Sequence, residues 1–400
     1  MTPAVPDVDL AVIGGGMVGA TLALAAARAG CSVRVIEAHP PGAAGQPSYD
    51  DRATALSHGS RRILEDLGVW EALAPQAEPI RRIHVSQRGY LGATRMDHRE
   101  YGVEALGYVL INRHLGPVLH QALEASGVSV MTPARLLDDQ EGEDHLILKV
   151  RHGEEAQSLR ARLVVGADGT GSRLRSLAGI DVRESPYEQS AVIANVTPGQ
   201  DHQGVAYERF TDEGPIALLP LGRGPDHERR CSLVWVRPQA RIAQTLAWSD
   251  GEFLARLQDR FGHRLGCFRK VGQRTAYPLS LVRAKRDTAT RLILVGNAAH
   301  TLHPVAGQGF NLALRDVRTL AELLAQARKD GEDPGSPALL SEYVSRREGD
   351  LDAVVHATDA LARLFATPFS PLAHLRGAGL MLLDRCGPLR RQVARKGMGL

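Results

Sequence analysis

Apolar positions along the chain fall into strand-length runs separated by helix-length stretches. The run Asp9–Ile13 is short, apolar and closed by glycines, as a buried strand would be. Met17–Ala29 follows, rich in Ala and Leu, and predicts a helix. Gly30 ends it, because a glycine just past the last turn takes the left-handed backbone at little cost. Ser32–Ile36 is a second apolar run of strand length, closing at Glu37. Strand, glycine turn, helix and strand within about 30 residues make a βαβ unit. Ile80–Gln87 alternates apolar and polar and predicts a half-exposed strand. Leu110–Gly127 returns to helix, Val128–Thr132 to strand, and Arg162–Ala167 to buried strand.

Between Tyr187 and Val282 the pattern is strand-like at Ser190–Val196, Pro215–Leu221 and Cys231–Val236. One helix, Glu252–Phe261, interrupts them. This predicts an antiparallel sheet lying over a helix or a pocket. Leu292–Val295 is a further buried strand, followed by a long helix running through Leu324. After a break from Pro334 to Pro337 the chain is helical. The order predicts an α/β fold with two intertwined domains. A cofactor domain is assembled from residues 1–78, 109–180 and 286–330. A β-rich substrate domain comprises 79–108 and 181–285, and 331–400 form C-terminal helices.

Composition narrows the class. With 44% hydrophobic and 23% charged residues among 400, the chain is globular and long enough to bury a core without disulfides. Cys31, Cys231, Cys267 and Cys386 form no CxxC pair, which argues against a zinc ribbon and suits a reducing cytoplasm. The net charge of +3 comes without a basic tract interleaved with aromatics, so no nucleic-acid partner is expected. No apolar run approaches the roughly 18 residues of a membrane span. The first residues lack a charged n-region and read as the approach to a strand, not as a signal peptide.

Three motifs carry chemistry. Gly14-Gly15-Gly16-Met17-Val18-Gly19 fits GxGxxG. Gly14 permits the tight turn, Gly16 lets a pyrophosphate approach the backbone, and Gly19 lets the helix pack on the sheet. The helix N-terminus offers N–H groups and partial positive charge to phosphates. Glu37, at the end of the second strand, sits where a carboxylate accepts from ribose hydroxyls. The second motif is Gly166-Ala167-Asp168-Gly169, continuing to Arg175; taken alone, Asp-Gly is an ordinary turn. The third is Gly296-Asn297-Ala298-Ala299-His300, continuing through His303-Pro304 to Gly307-Gln308-Gly309-Phe310-Asn311. Gly307 and Gly309 precede a helix whose N-terminus can stabilise negative charge. His300 and His303 are three apart, but no nearby carboxylate or cysteine completes a metal site, so none is expected.

Together, in this order and spacing, the motifs resemble those of the flavoprotein aromatic hydroxylases, the para-hydroxybenzoate hydroxylase-like monooxygenases. The likeness covers nearly the whole chain. Within the family it is nearest to the ubiquinone-biosynthesis ring hydroxylases, above all the branch acting on 2-polyprenyl-6-methoxyphenol. It implies an FAD-binding Rossmann-like domain and FAD as cofactor, with NAD(P)H and O2 as co-substrates. The first fingerprint would hold the ADP half of FAD. Asp168 and Arg175 would serve its pyrophosphate and the use of NAD(P)H. The third fingerprint would contact the ribityl chain and flavin ring. The segment from Asp50 through Arg52 to Ser57 resembles the lining of the flavin pocket, and Arg113 an arginine that reaches the phosphates. Most members carry Gly-Asp where this chain has Gly296-Asn297. Asn keeps an acceptor oxygen but loses the charge. That neutral form, with Leu302-His303-Pro304 after it, is similar to the methoxyphenol branch.

Only one GxGxxG is present, which fits hydroxylases in which the nicotinamide docks transiently. The resemblance implies that reduced flavin and oxygen give a C4a-hydroperoxide, whose terminal oxygen attacks an electron-rich ring carbon. A group that removes the phenol proton is typically worth about 10²–10⁴-fold. Candidates are Tyr207, His303 and the Pro304 carbonyl. Backbone N–H groups near Phe310 and Asn311 would stabilise charge on the flavin pyrimidine edge.

The apolar stretch Pro215–Leu221 suits either ordinary core or a sheet face under a prenylated ring. The tail runs from apolar residues (Leu361, Leu364, Leu375, Leu380, Leu382) into Arg385, Arg390, Arg391, Arg395 and Lys396, with no acid among them. Such helices can rest on anionic membranes, contact a ubiquinone-biosynthesis complex, or simply pack on the domain. The expectation is a cytoplasmic enzyme with peripheral membrane contact open to it. Competing readings are hydroxylation of another ring position or phenol, a flavin-dependent reductase or halogenase, and an FAD-bound scaffold subunit. The few lysines offer no halogenase candidate, and the intact third fingerprint argues against a scaffold.

Overall fold

The glycine turn lies at the C-terminal edge of a parallel sheet. The structure is a computed structural model and describes residues 6–40, 42, 52–224, 227–303, 307–366 and 370–400. Val8–Ile13 pairs in parallel with Val33–Ile36 on one side and Glu155–Gly166 on the other. Ser129–Met131 and Leu292–Leu294 extend the sheet, also in parallel. The turns after these strands therefore open on one edge, where ligands bind in open α/β sheets.

After Asp9 at its start, Val8–Ile13 is apolar because both its faces are covered. Leu10 and Val12 join a core with Leu22, Leu115, Leu119 and Leu320, from helices Met17–Arg28, Asn112–Ala125 and Gln308–Asp330. Ala11 and Ile13 face the opposite way, toward Leu136, Leu148 and Leu174. Leu136 and Leu148 belong to a hairpin, Ala134–Glu141 with Leu146–His152, that is not among the predicted elements.

The second sheet runs in the order His300–Thr301, Thr275–Ala284, Val182–Thr197, Arg230–Pro238, Gly214–Leu221, Val205–Thr211, Arg82–Gln87, Ala93–Asp97. Its pairs are antiparallel except Val205–Thr211 with Arg82–Gln87. One face buries Val192, Ile216, Leu218 and Trp235 against Phe253, Leu257 and Phe261 of the helix Asp250–Phe261. The other face looks into a cavity, so the sheet has both the helix and the pocket that its sequence allows.

Other elements also differ from expectation: Leu110 and Ile111, read as helix, end the strand Gly107–Ile111, and the helix begins at Asn112. Ile80–Gln87 is not one strand. Arg81 and Arg82 both donate their N–H groups to the Gly204 carbonyl, at 2.8 and 3.1 Å, which turns the chain. Glu78–Ile80 then belongs to a small sheet with Gly107–Ile111 and Ala53–Ser57, and Arg82–Gln87 to the large one. Val205–Thr211 is a strand that the apolar pattern does not mark.

The chain ends in helices Pro337–Ala366, Ser370–Arg385 and Gly387–Met398. Ser370–Arg385 covers the sheet edge. Thr94 Oγ1 donates to the Leu380 carbonyl (2.7 Å) and the Arg95 N–H to Asp384 Oδ1 (2.8 Å). Ala394 and Met398 bury against Met96 and Leu106. Among the described residues, no helix is long and apolar enough to cross a membrane.

Candidate active site

One cavity of about 1180 Å³ runs from the edge of the parallel sheet to the open face of the antiparallel sheet. Pockets for a single small ligand span roughly 300–1,000 Å³. This one has room for a large cofactor and a second compound.

The glycine turn forms its first wall. Gly14 has φ +100°, and a Cβ there would sit 2.6 Å from the Ala167 carbonyl oxygen. Gly14 and Gly16 line the cavity. Gly19 is not on the wall: a Cβ there would fall 1.8 Å from the Gly14 carbonyl oxygen, so this glycine seats the helix on the turn. Glu37 is buried on the wall. Its Oε2 accepts from the Gly15 N–H (2.5 Å) and its Oε1 from the His39 N–H (2.7 Å). Each oxygen keeps a lone pair for a ligand hydroxyl.

The second motif stands beside it. Asp168 Oδ2 accepts from the N–H groups of Arg173 (2.7 Å) and Leu174 (3.3 Å). Its buried Oδ1 has no hydrogen-bond partner among the described residues. Arg175 is off the cavity wall. Its guanidinium donates to the carbonyls of Ala298 and Thr170, both at 2.8 Å, and so ties the second motif to the third.

The third motif closes the ring side. Asn297 sits on the short turn Gly296–Ala298 with its side chain exposed toward the cavity. His300 Nε2 lies 3.1 Å from Asp316 Oδ2, away from any such role. Gly307 is left-handed, at φ +60°, and begins the 23-residue helix Gln308–Asp330. Gly309 and Phe310 line the cavity, and a Cβ on Gly309 would meet nothing within 4 Å. The Asn311 amide is fully engaged: it donates to the carbonyls of Ala55 and Gly307 and accepts from the Ser57 N–H, all at 2.8 Å. It pins the strand Ala53–Ser57 to the helix start.

Two helix N-termini thus face one cavity, those of Met17–Arg28 and Gln308–Asp330. Neither has a side-chain cap or an acid in its first turn. Three other helices are capped by Ser57, Ser172 and Ser249, while Asn112–Ala125, Ile242–Ala247 and Gly387–Met398 also lack a side-chain cap. Uncapped N–H groups at a cavity suit an anionic ligand, and with the orphaned Asp168 Oδ1 they fit the phosphates and hydroxyls of FAD.

Arg52 lines the cavity and lies over the Tyr277 ring, 4.9 Å from its centroid. Arg113 is exposed on the first turn of its helix and is not on the wall. Its neighbour Asn112 is, accepting from Thr54 Oγ1 at 2.7 Å. Pro304, Asp50 and Asp51 lie outside the described residues.

On the ring side, His303 is buried and makes an edge contact with Tyr187 (5.0 Å). Burial pushes its imidazole down to about 4, so it is neutral at pH 7. Tyr207 borders the cavity, but its ring packs under the sheet against Phe261 (5.5 Å) and His84 (5.6 Å). Burial raises its phenol above the usual range. Sequence reasoning missed Glu208 beside it, which also lines the cavity. Adjacent Glu208 and Arg209 look like a solvated stretch; only strand periodicity separates them onto opposite faces.

A family model described as an FAD binding domain matches residues 7–358. The chain is 39% identical over 393 residues to ubiquinone hydroxylase UbiL of Rhodospirillum rubrum, spanning 98% of this chain and 89% of that one. It is 36% identical over 395 residues to the 3-demethoxyubiquinol 3-hydroxylase of Escherichia coli, spanning 98% of each. Among solved structures, p-nitrophenol 4-monooxygenase PnpA of Pseudomonas putida DLL-E4 has a TM-score of 0.77 over 98% of both chains. Its 20% identity makes that a likeness of fold.

Proposed function

Because the chain belongs to the FAD-binding flavoprotein monooxygenases, and within them to the ubiquinone hydroxylases, we propose that it hydroxylates the ring of a polyprenylated phenol. The substrate we propose is 2-polyprenyl-6-methoxyphenol, converted to the 1,4-benzoquinol with O2 and NAD(P)H. One observation carries the reading: a single cavity has uncapped helix N-termini at its cofactor end and an apolar sheet face at the other.

FAD bound there supplies the passage of electrons from NAD(P)H to O2. The chain's residues do the rest. The glycine turn and the N-terminus of Met17–Arg28 hold the pyrophosphate, and Glu37 accepts from ribose hydroxyls. Asp168 offers Oδ1 as a further acceptor, on a turn that Arg175 fixes through two carbonyls. Asn297 and the first turn of Gln308–Asp330 line the same cavity and would hold the ribityl chain and ring system, the helix N-terminus offering N–H groups to negative charge there. Apolar residues such as Val85, Ala217, Leu219 and Val234 exclude water from the reacting centre.

The neutral Asn297 and Leu302-His303-Pro304 support the methoxyphenol ring position. Mass spectrometry of the quinone pool in a strain lacking the protein tests it. Accumulated 2-polyprenyl-6-methoxyphenol is expected. A block at another ring carbon moves the position, and an unchanged pool removes ubiquinone from the reading.

A prenylated substrate resides in membrane, and the C-terminal helices form part of the cavity wall through Leu380, Leu383, Ala394 and Met398. Leu361 and Val393 both line the cavity and are exposed, which marks an opening between these helices. Leu375 (67%) and Leu382 (64%) point outward with Arg385, Arg391, Arg395 and Lys396 exposed nearby. The reading is that this face docks on an anionic membrane surface and admits the prenyl tail.

A further inference from the structure

We propose that Glu208 is the catalytic base of the site, accepting the phenolic proton of the ring substrate and fixing its oxygen. This rests on reading the site as a phenol hydroxylase.

In Val205–Thr211, Glu208 pairs with Ala217 on one neighbouring strand and Val85 on the other. The same face carries Ala206, Phe210, Ile83 and Leu219, and all line the cavity. A carboxylate is thus set into an apolar wall. No described residue pairs with it or hydrogen-bonds to it, and burial alone raises it, to about 7. A charge set into an apolar wall without a partner is costly. The fully buried Glu37 and Asp316 have theirs: Glu37 takes two backbone N–H groups, and Asp316 takes Arg347 Nε at 2.8 Å. Asp287, raised by burial to about 6, also keeps an oxygen without a hydrogen bond among the described residues, but it lies off the cavity wall. The partner missing from Glu208 is a donor that arrives from the cavity, and a phenol O–H is one.

The remaining ionisable groups on the wall do not compete. Glu37, His39, Arg135, Asp168 and Arg173 belong to the dinucleotide end. Arg52 is a cation over Tyr277, and the Tyr207 ring packs beneath the sheet. His303, held near 4, is a far weaker base than a carboxyl near 7. A base works best with a pKa near the operating pH.

The step balances as follows. The ring O–H bond breaks and a carboxyl O–H bond forms on Glu208. The electron-rich ring carbon forms a C–O bond to one atom of O2. The other atom leaves as water, taking the hydrogen and two electrons of the NAD(P)H hydride and one solvent proton. The ring C–H proton is lost as aromaticity returns and is matched by the proton gained by the new hydroxyl, and Glu208 gives its proton back to the ring oxygen.

The test compares FAD-loaded wild type with Glu208→Gln and Glu208→Asp, using 2-geranyl-6-methoxyphenol as probe. Wild-type kcat/KM is expected to rise with pH through about 7. Glu208→Gln loses that limb and about 10²–10⁴-fold in hydroxylation, while its flavin spectrum and content stay normal. Glu208→Asp, one carbon shorter, recovers part of the rate and keeps the limb. A binding readout stands apart from turnover: wild type prefers the phenol to its methyl ether, and Glu208→Gln does not. Wild-type turnover with an unaltered pH profile and preference in Glu208→Gln overturns the inference alone. A flavin-loaded wild type that neither binds nor oxidises the phenol overturns the reading of the reaction, and the inference with it.

Discussion

Gly19 and Gly309 show how differently two glycines of one site can be used. A Cβ on Gly19 would lie 1.8 Å from the Gly14 carbonyl oxygen, so the turn or the helix must move. Gly19→Ala is expected to lower stability by about 1–3 kcal/mol, as overpacking does, and to yield protein with much less bound flavin. Gly309 stands in a helix with open space where its Cβ would be. Gly309→Ala should leave the fold as stable or gain about 0.5–1 kcal/mol of helix propensity, yet weaken FAD, because the methyl occupies the cavity. Flavin absorbance per chain and the melting temperature of the apoprotein read both effects. Equal flavin content in Gly309→Ala and wild type would remove that stretch of backbone from the cofactor wall.

Between elements, one buried carboxylate joins three pieces of chain. Asp316, on Gln308–Asp330, meets His300 after the third motif and Arg347 on Pro337–Ala366. Burial works to raise its pKa, but the His300 and Arg347 contacts outweigh it and hold the carboxyl below its ordinary 3.8. A carboxyl held low in the folded state contributes stability that is complete above its unfolded pKa and lost as pH falls through the folded one. Asp316→Asn leaves Arg347 without this partner and is expected to cost about 3–5 kcal/mol at neutral pH. Denaturant melts across pH should show the gap to wild type closing as pH drops below 3.8. A gap of constant size would mean that shape, not charge, is what the site needs.

Legibility follows the same physics. Residues 10–13 and Leu292–Leu294 are readable because a stretch of strand covered on both faces has to be apolar throughout. The glycine turn is readable because its backbone leaves no room for a side chain. Val205–Thr211 is not, since Glu208 and Arg209 hide a strand whose alternate positions serve two different surroundings. Arg175 is recognisable as part of a motif, but its partners are carbonyls at residues 170 and 298, which only the fold brings together. The turn at Arg81 depends on Gly204, equally far off in sequence.

At the scale of the molecule, the cavity has one wall per region of the chain, and the last is the most exposed to its surroundings. Each basic residue near an anionic surface contributes about 1 kcal/mol, and the outward leucines add apolar area. Wild type is therefore expected to float with vesicles containing phosphatidylglycerol and to be released by salt. The double variant Leu375→Asp, Leu382→Asp should stay with the soluble fraction while keeping its flavin spectrum, since neither residue lines the cavity. Equal flotation of both proteins would count against membrane docking through this face.

That order of walls is also a timetable for the ribosome. Val8–Ile13 is made early and finds Val33–Ile36 close behind, but its other neighbour is Glu155–Gly166, and Leu292–Leu294 must follow before the sheet reaches the third motif. The helix at Gln308 completes the cofactor end while the final helices are still unmade. Ala394 and Met398, which line the ring end, are made after it, so the cofactor end of the cavity has its residues before the ring end has its wall.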